Sequence, residues 1–196
     1  MSPAAPFRIA QMNTANAITL LRLALIPVFI ALLLMYQPDS GHEGLRIAAF
    51  VVFIVAAVSD GVDGYVARNF NQRTRLGAVL DPTADKLLTN LSFVFLAALP
   101  AFKVPMWLPV IVLARDITIA TGSFMLNKFL GPLKVRPRIM GKAATVAHSV
   151  AIAAAVIDLP GADRILMMTA ALSILSLADY LLHGYEQAAQ QHPETA

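Results

Sequence analysis

Four aspartates, Asp60, Asp63, Asp81 and Asp85, fall within 26 residues of a chain that is otherwise almost continuously apolar. Asp60 and Asp63 are three apart and Asp81 and Asp85 four apart, so on helices each pair shares one face. Two such faces turned toward each other gather four carboxylates, and their repulsion is relieved only if cations lie between them. Carboxylate oxygens are hard ligands, suited to magnesium, manganese or calcium rather than to soft metals. Four of them can hold two divalent ions, and a two-metal site clamps the attacking and leaving oxygens of an in-line phosphoryl displacement. Gly61, Gly64 and Ala67 leave room beside the helix for a bulky polar ligand. Arg68, one turn beyond Gly64, can pair with a phosphate. Gly77, four residues before Asp81, permits close helix packing.

The elements that must hold these groups are membrane spans. With 58% hydrophobic and 14% charged residues in 196, the chain is far more apolar than a soluble domain. It reads as all-α, a polytopic membrane bundle of six transmembrane helices at roughly 20 residues each. The apolar runs place spans at 17–37, 45–68, 76–99, 105–127, 140–158 and 164–184. Residues 1–16 are expected to form an N-terminal interfacial segment, with a short helix over Phe7–Asn13. Residues 17–185 form one membrane domain, and 186–196 a polar, disordered tail. The first apolar run, Ala17 to Tyr36, is too long for a signal-peptide core and is interrupted by Arg22 and Pro27, so it is read as a retained span. The absence of cysteine excludes disulfides, thiolate zinc sites and a cysteine nucleophile. No nucleic-acid partner is expected.

Lys and Arg distribution sets the orientation. One set of span ends carries Arg8, Arg22, Arg68, Arg73, Arg75, Lys86, Lys128, Lys134, Arg136, Arg138 and Lys142, the other only Arg46, Lys103 and Arg164. The richer side is expected to be cytoplasmic, with both termini inside and the aspartates at that same face. An ion transporter or channel is the reading from a different class. It predicts acids spread over several spans, whereas spans one, five and six have none near their centres. The structural alternative for the aspartates is loop-end carboxylates facing water or paired with Arg68, Arg73 and Arg75.

Asp60, Asp63, Gly64, Ala67, Arg68, Gly77, Asp81 and Asp85 match, at every fixed position and spacing, the signature of the CDP-alcohol phosphatidyltransferase family, which the chain resembles. The likeness extends from Asn16–Thr19 and Arg22 through Arg115 to Gly141 and Lys142, and so covers nearly all the spans. It implies a six-helix membrane enzyme, usually a homodimer, that transfers the phosphatidyl group of a CDP-lipid to an alcohol and releases CMP. It further implies that Asp60, Asp63 and Asp81 with the Gly61 carbonyl hold one divalent cation, and Asp60, Asp81 and Asp85 a second, Mg2+ or Mn2+. Gly64, Arg68 and Thr74 are implied contacts to the CDP part, and Asp85 the general base. Transfer is expected to be direct and in line, with CDP-diacylglycerol as donor. A bacterial inner membrane is the expected location, with the active site facing the cytoplasm.

The acceptor pocket is expected to use Arg115, Lys142 and Arg138, whose charge favours an anionic alcohol. Glycerol 3-phosphate is the first reading. Phosphatidylglycerol, the acceptor of cardiolipin synthases, is the second, because Arg115–Asp116 stands where the glycerol 3-phosphate subgroup typically has Arg-Glu. Arg115 could instead form a buried pair with Asp116. Neighbours on a helix point to different faces, however, so Asp116 is expected to be a poor partner. Arg136, Arg138 and Lys142 could equally be ordinary cytoplasmic-side cations. His148 and His183 are expected to be core or interfacial residues, Met167 and Met168 lipid-facing or packing residues, and Asp179 has no evident partner.

Overall fold

The structure is a computed structural model that describes the backbone of residues 14–38, 41–69, 75–130 and 139–191, with side chains for 19–38, 41–59, 82–125, 128 and 139–184. The Phe7–Asn13 segment, Thr74 and Arg138 lie outside the described residues. Among those described there are six α-helices: α1 Thr14–Met35, α2 Glu43–Asn69, α3 Arg75–Ala98, α4 Trp107–Leu130, α5 Ile139–Val156 and α6 Ala162–Gln191. No strand occurs among them.

The breaks fall where Gly and Pro interrupt the apolar runs. Gly41, at φ 70°, lies between α1 and α2, and Gly161, at φ 85°, turns the chain into α6. Only glycine takes such left-handed angles without steric cost. Pro100 opens a short 3-10 turn, Pro100–Phe102, that ends α3. Helix α6 runs to Gln191, through the start of the expected tail. Glu186, Gln187, Ala188 and Ala189 are all good helix formers, in keeping with the helix continuing there.

Helix α1 packs along α2 and α3, α6 packs on α5 and α4, and α3 touches α4 and α5. The core between them is built from Phe29, Leu33, Phe53, Phe93, Leu96, Leu108, Val112, Ile152 and Val156, all fully or nearly fully buried. The Phe29 and Phe53 rings lie 5.6 Å apart and tie α1 to α2.

The interior also holds Thr19, Arg22, Ser92, Arg115, His148, Thr169, Ser173 and Ser176, while Val110, Phe124, Met167, Met168, Leu181 and Leu182 face outward. A surface of large apolar side chains around a partly polar interior suits lipid rather than water. Trp107–Met125, Ile139–Val156 and Ala162–Gly184 are each long and apolar enough to cross a membrane, and Thr19–Met35 is a shorter apolar helix. Most of these buried polar groups have partners within the bundle. Ser92 donates to the Leu88 carbonyl at 2.6 Å and Ser173 to that of Thr169 at 2.8 Å. Arg22 Nε donates to the Ala56 carbonyl at 3.2 Å and to Ser59 Oγ at 3.4 Å, fixing α1 against α2 one turn before Asp60.

Candidate active site

Asp60, Gly61, Asp63, Gly64 and Arg68 lie in the C-terminal part of α2, and Gly77, Asp81 and Asp85 in the N-terminal part of α3. The two helices are consecutive, so one short connection joins the two aspartate-bearing ends. Of these residues only Asp85 has a described side chain, and it is half-buried. The rest are placed by their helices alone. The donor set, carboxylates on two successive helices, has the chemistry of a hard divalent cation site. Pro82 lies inside α3 between Asp81 and Asp85 and deprives the helix of one amide donor there.

One turn further along α3 begins a polar cluster that bridges three helices. Lys86 Nζ lies 3.0 Å from Asp116 Oδ1 on α4, and Asn90 Nδ2 donates to Asp116 Oδ2 at 3.3 Å. Arg115 reaches the same Oδ1 from its own helix, NH1 to Oδ1 at 2.7 Å, and its NH2 donates to Ser176 Oγ on α6 at 2.9 Å. Arg115 therefore does pair with its neighbour, contrary to the expectation from helix geometry. The Cβ positions diverge, but the long arginine stem curls far enough for the guanidinium to meet the carboxylate. Arg115 Nε is buried and has no partner among the described residues.

These groups line a cavity of about 600 Å³ between α3, α4 and α5, whose wall includes Pro82, Lys86, Asn90, Arg115, Asp116, Ser123, Gly141, Lys142 and Thr145. Arg115 and Lys142, expected to converge, thus face one cavity. Asp85 sits on α3 between Pro82 and Lys86, two residues of that wall. The side of Gly141 facing Arg115 is open enough that a Cβ there would lie 3.8 Å from the guanidinium, an ordinary contact. Lys142 is exposed and has no ion-pair partner among the described residues.

Sequence reasoning missed Lys86, Asn90 and Ser176. A signal existed. Lys86 and Asn90 are four apart on α3, and Thr169, Ser173, Ser176 and Tyr180 follow at helical spacing on α6, a polar stripe in an apolar helix. Tyr180 at the far end of that stripe is 2.9 Å from Ser123 Oγ. His148 is fully buried, with Nε2 2.8 Å from Ser173 Oγ and its ring edge-on to Phe93, a core position as expected. Asp179 does have a neighbour, His183, one turn along α6 with Nδ1–Oδ1 3.7 Å.

Residues 12–178 match the family model for CDP-alcohol phosphatidyltransferase. A CDP-diacylglycerol–glycerol-3-phosphate 3-phosphatidyltransferase of Bacillus subtilis is 29% identical, over 89% of this chain and 96% of its own length. A probable phosphatidylglycerophosphate synthase of Mycobacterium tuberculosis is 34% identical over 86% of this chain and 80% of its own. An Escherichia coli protein named CDP-diacylglycerol–glycerol-3-phosphate 3-phosphatidyltransferase is 36% identical, over 73% and 76%.

Proposed function

The chain belongs to the CDP-alcohol phosphatidyltransferase family, and from that premise we propose that it transfers the phosphatidyl group of CDP-diacylglycerol to glycerol 3-phosphate and releases CMP. The observation that carries the acceptor is the charge of the cavity wall: Lys86, Arg115 and Lys142 against the single carboxylate of Asp116. Two positive charges remain, which match a phosphomonoester dianion and exceed the single charge of a phosphodiester. The names of the three relatives support the same acceptor.

In this reading Lys142 and Arg115 hold the acceptor phosphate and turn its primary hydroxyl toward the aspartate-bearing ends of α2 and α3. Asp85, on the turn between Pro82 and Lys86, takes the hydroxyl proton. The acceptor oxygen attacks the lipid-side phosphorus as the bond to CMP breaks, with Gly64, Arg68 and Thr74 holding the cytidylyl part and Arg138 adding charge at the pocket mouth. Asp60, Asp63, Asp81 and Asp85, with the Gly61 carbonyl, would hold two divalent cations, Mg2+ or Mn2+. Such cations neutralise pyrophosphate charge when bound.

The apolar outer surface supports all six helices crossing the membrane, with the site on the cytoplasmic side of a bacterial inner membrane. A homodimer is part of the same reading. Phosphatidylglycerol as acceptor is the second reading, favoured by the Arg115–Asp116 pair. The test is CMP release by purified enzyme given CDP-diacylglycerol and magnesium with each acceptor in turn. Turnover with glycerol 3-phosphate is expected. Turnover with phosphatidylglycerol alone would move the assignment.

A further inference from the structure

We infer that Asp116 is the positioning residue of the acceptor site: its carboxylate clamps Lys86 and Arg115 together so that both present charge to the cavity. The inference rests on the acceptor reading above and adds to it the group that makes the cationic wall possible.

Two cations on different helices do not converge unaided, because like charges repel, and more strongly away from water. Here Lys86 Nζ and Arg115 NH1 meet the same oxygen, Asp116 Oδ1, at 3.0 and 2.7 Å. The other oxygen, Oδ2, receives Asn90 Nδ2 at 3.3 Å, so the carboxylate is held from α3 on both sides. Ser176 fixes the far nitrogen of the guanidinium from α6 at 2.9 Å. The result is a guanidinium immobilised by contacts on two helices, with Arg115 and Lys86 both on the cavity wall. An arrangement that served only to neutralise Arg115 would need neither the second cation nor the open cavity beside it.

Removing the carboxylate has two opposed effects on an anionic acceptor. It adds one net positive charge to the wall, and it frees the cations. The second effect wins in this geometry. The Lys86 side chain is already 39% exposed, so without Asp116 it can turn to solvent. Arg115, 5% exposed, stays in the bundle held by Ser176 alone. The acceptor then meets one misaligned cation where it had met two aligned ones.

The experiment is steady-state kinetics of Asp116→Asn, Asp116→Glu and Ser176→Ala, varying glycerol 3-phosphate at saturating CDP-diacylglycerol and then the reverse. Asp116→Asn is expected to raise the acceptor KM about tenfold or more and leave the CDP-lipid KM within about twofold. Asp116→Glu keeps the carboxylate and is expected to restore most of the loss. Ser176→Ala, a milder change, is expected to raise the same KM by a few-fold. An acceptor KM that is unchanged or lowered in Asp116→Asn overturns the inference, as does a Glu variant no better than Asn. If Asp116→Asn does not fold, Ser176→Ala decides, and an unaltered acceptor KM there counts against the clamp. A wild-type enzyme inactive with glycerol 3-phosphate refutes the acceptor reading instead, so the two failures are distinguishable.

Discussion

Replacing Arg115 by lysine tests the site most sharply, because it keeps the charge and removes only the fork. Arginine at this position makes two contacts in different directions, NH1 to Asp116 at 2.7 Å and NH2 to Ser176 at 2.9 Å, and lines the cavity. A lysine ammonium is a single point on a flexible stem and cannot reach Asp116, Ser176 and an acceptor phosphate at once. Asp116 is the nearest anion, so the ammonium settles there and the acceptor loses one charge-assisted hydrogen bond. Such a bond contributes about 1.5–3 kcal/mol, which converts to a loss of roughly 10- to 150-fold in acceptor kcat/KM. Folding should suffer little by comparison, since Asp116 keeps Lys86 and Asn90 and only Ser176 loses a partner. The assay is CMP release against glycerol 3-phosphate concentration, with thermal unfolding in detergent as control. Wild-type kcat/KM in Arg115→Lys would show that the fork has no part in acceptor binding, and the cavity would have to be read as structural.

Three further outcomes are expected. Chelator should abolish CMP release and magnesium or manganese restore it, while Asp60→Asn and Asp81→Asn stay inactive at any metal concentration; full activity in excess chelator would remove the metal site. Asp85→Asn should lose turnover far more than CDP-lipid binding, and equal losses in both would leave it as a ligand without a role as base. Gly122→Ala places a Cβ 2.9 Å from the Tyr180 hydroxyl and 3.1 Å from its ring, so the tyrosine must move away from Ser123. Overpacking of this kind costs about 1–3 kcal/mol, partly offset by alanine's helix propensity of about 1 kcal/mol over glycine; a higher unfolding temperature in that variant would contradict the close approach of α4 and α6.

The helices were legible in the sequence because lipid-facing and core-facing apolar residues form runs with Gly and Pro at their ends. The span expected at 105–127 is α4, Trp107–Leu130, and the one expected at 140–158 is α5, Ile139–Val156. Pairings between helices were not legible. Periodicity assigns a residue to a face but not to a neighbour, and Lys86 meets Asp116 across 30 residues while Arg115 meets Ser176 across 61. The Arg115–Asp116 contact was misjudged for a different reason. The face rule describes Cβ directions, and a side chain as long as arginine escapes it. Arg115 was expected within the fourth span and Lys142 at the start of the fifth; that both line one cavity depends on how α4 and α5 pack, which periodicity does not give.

The tether between Arg22 and α2 has a consequence for how the protein is made. An arginine within an inserting helix is disfavoured, by up to roughly 2.5–3.5 kcal/mol at the helix centre on the insertion scale. The carbonyl and hydroxyl that receive it, on Ala56 and Ser59, are encoded 34 and 37 residues later. At ribosomal rates of about 5–20 residues per second, α1 waits roughly two to seven seconds before α2 arrives. Through that interval α1 lacks these two contacts of Arg22, and its seating is complete only once α2 has been made. Ala56 and Ser59, within one turn of Asp60, thereby govern the seating of α1 against the helix that carries Asp60 and Asp63.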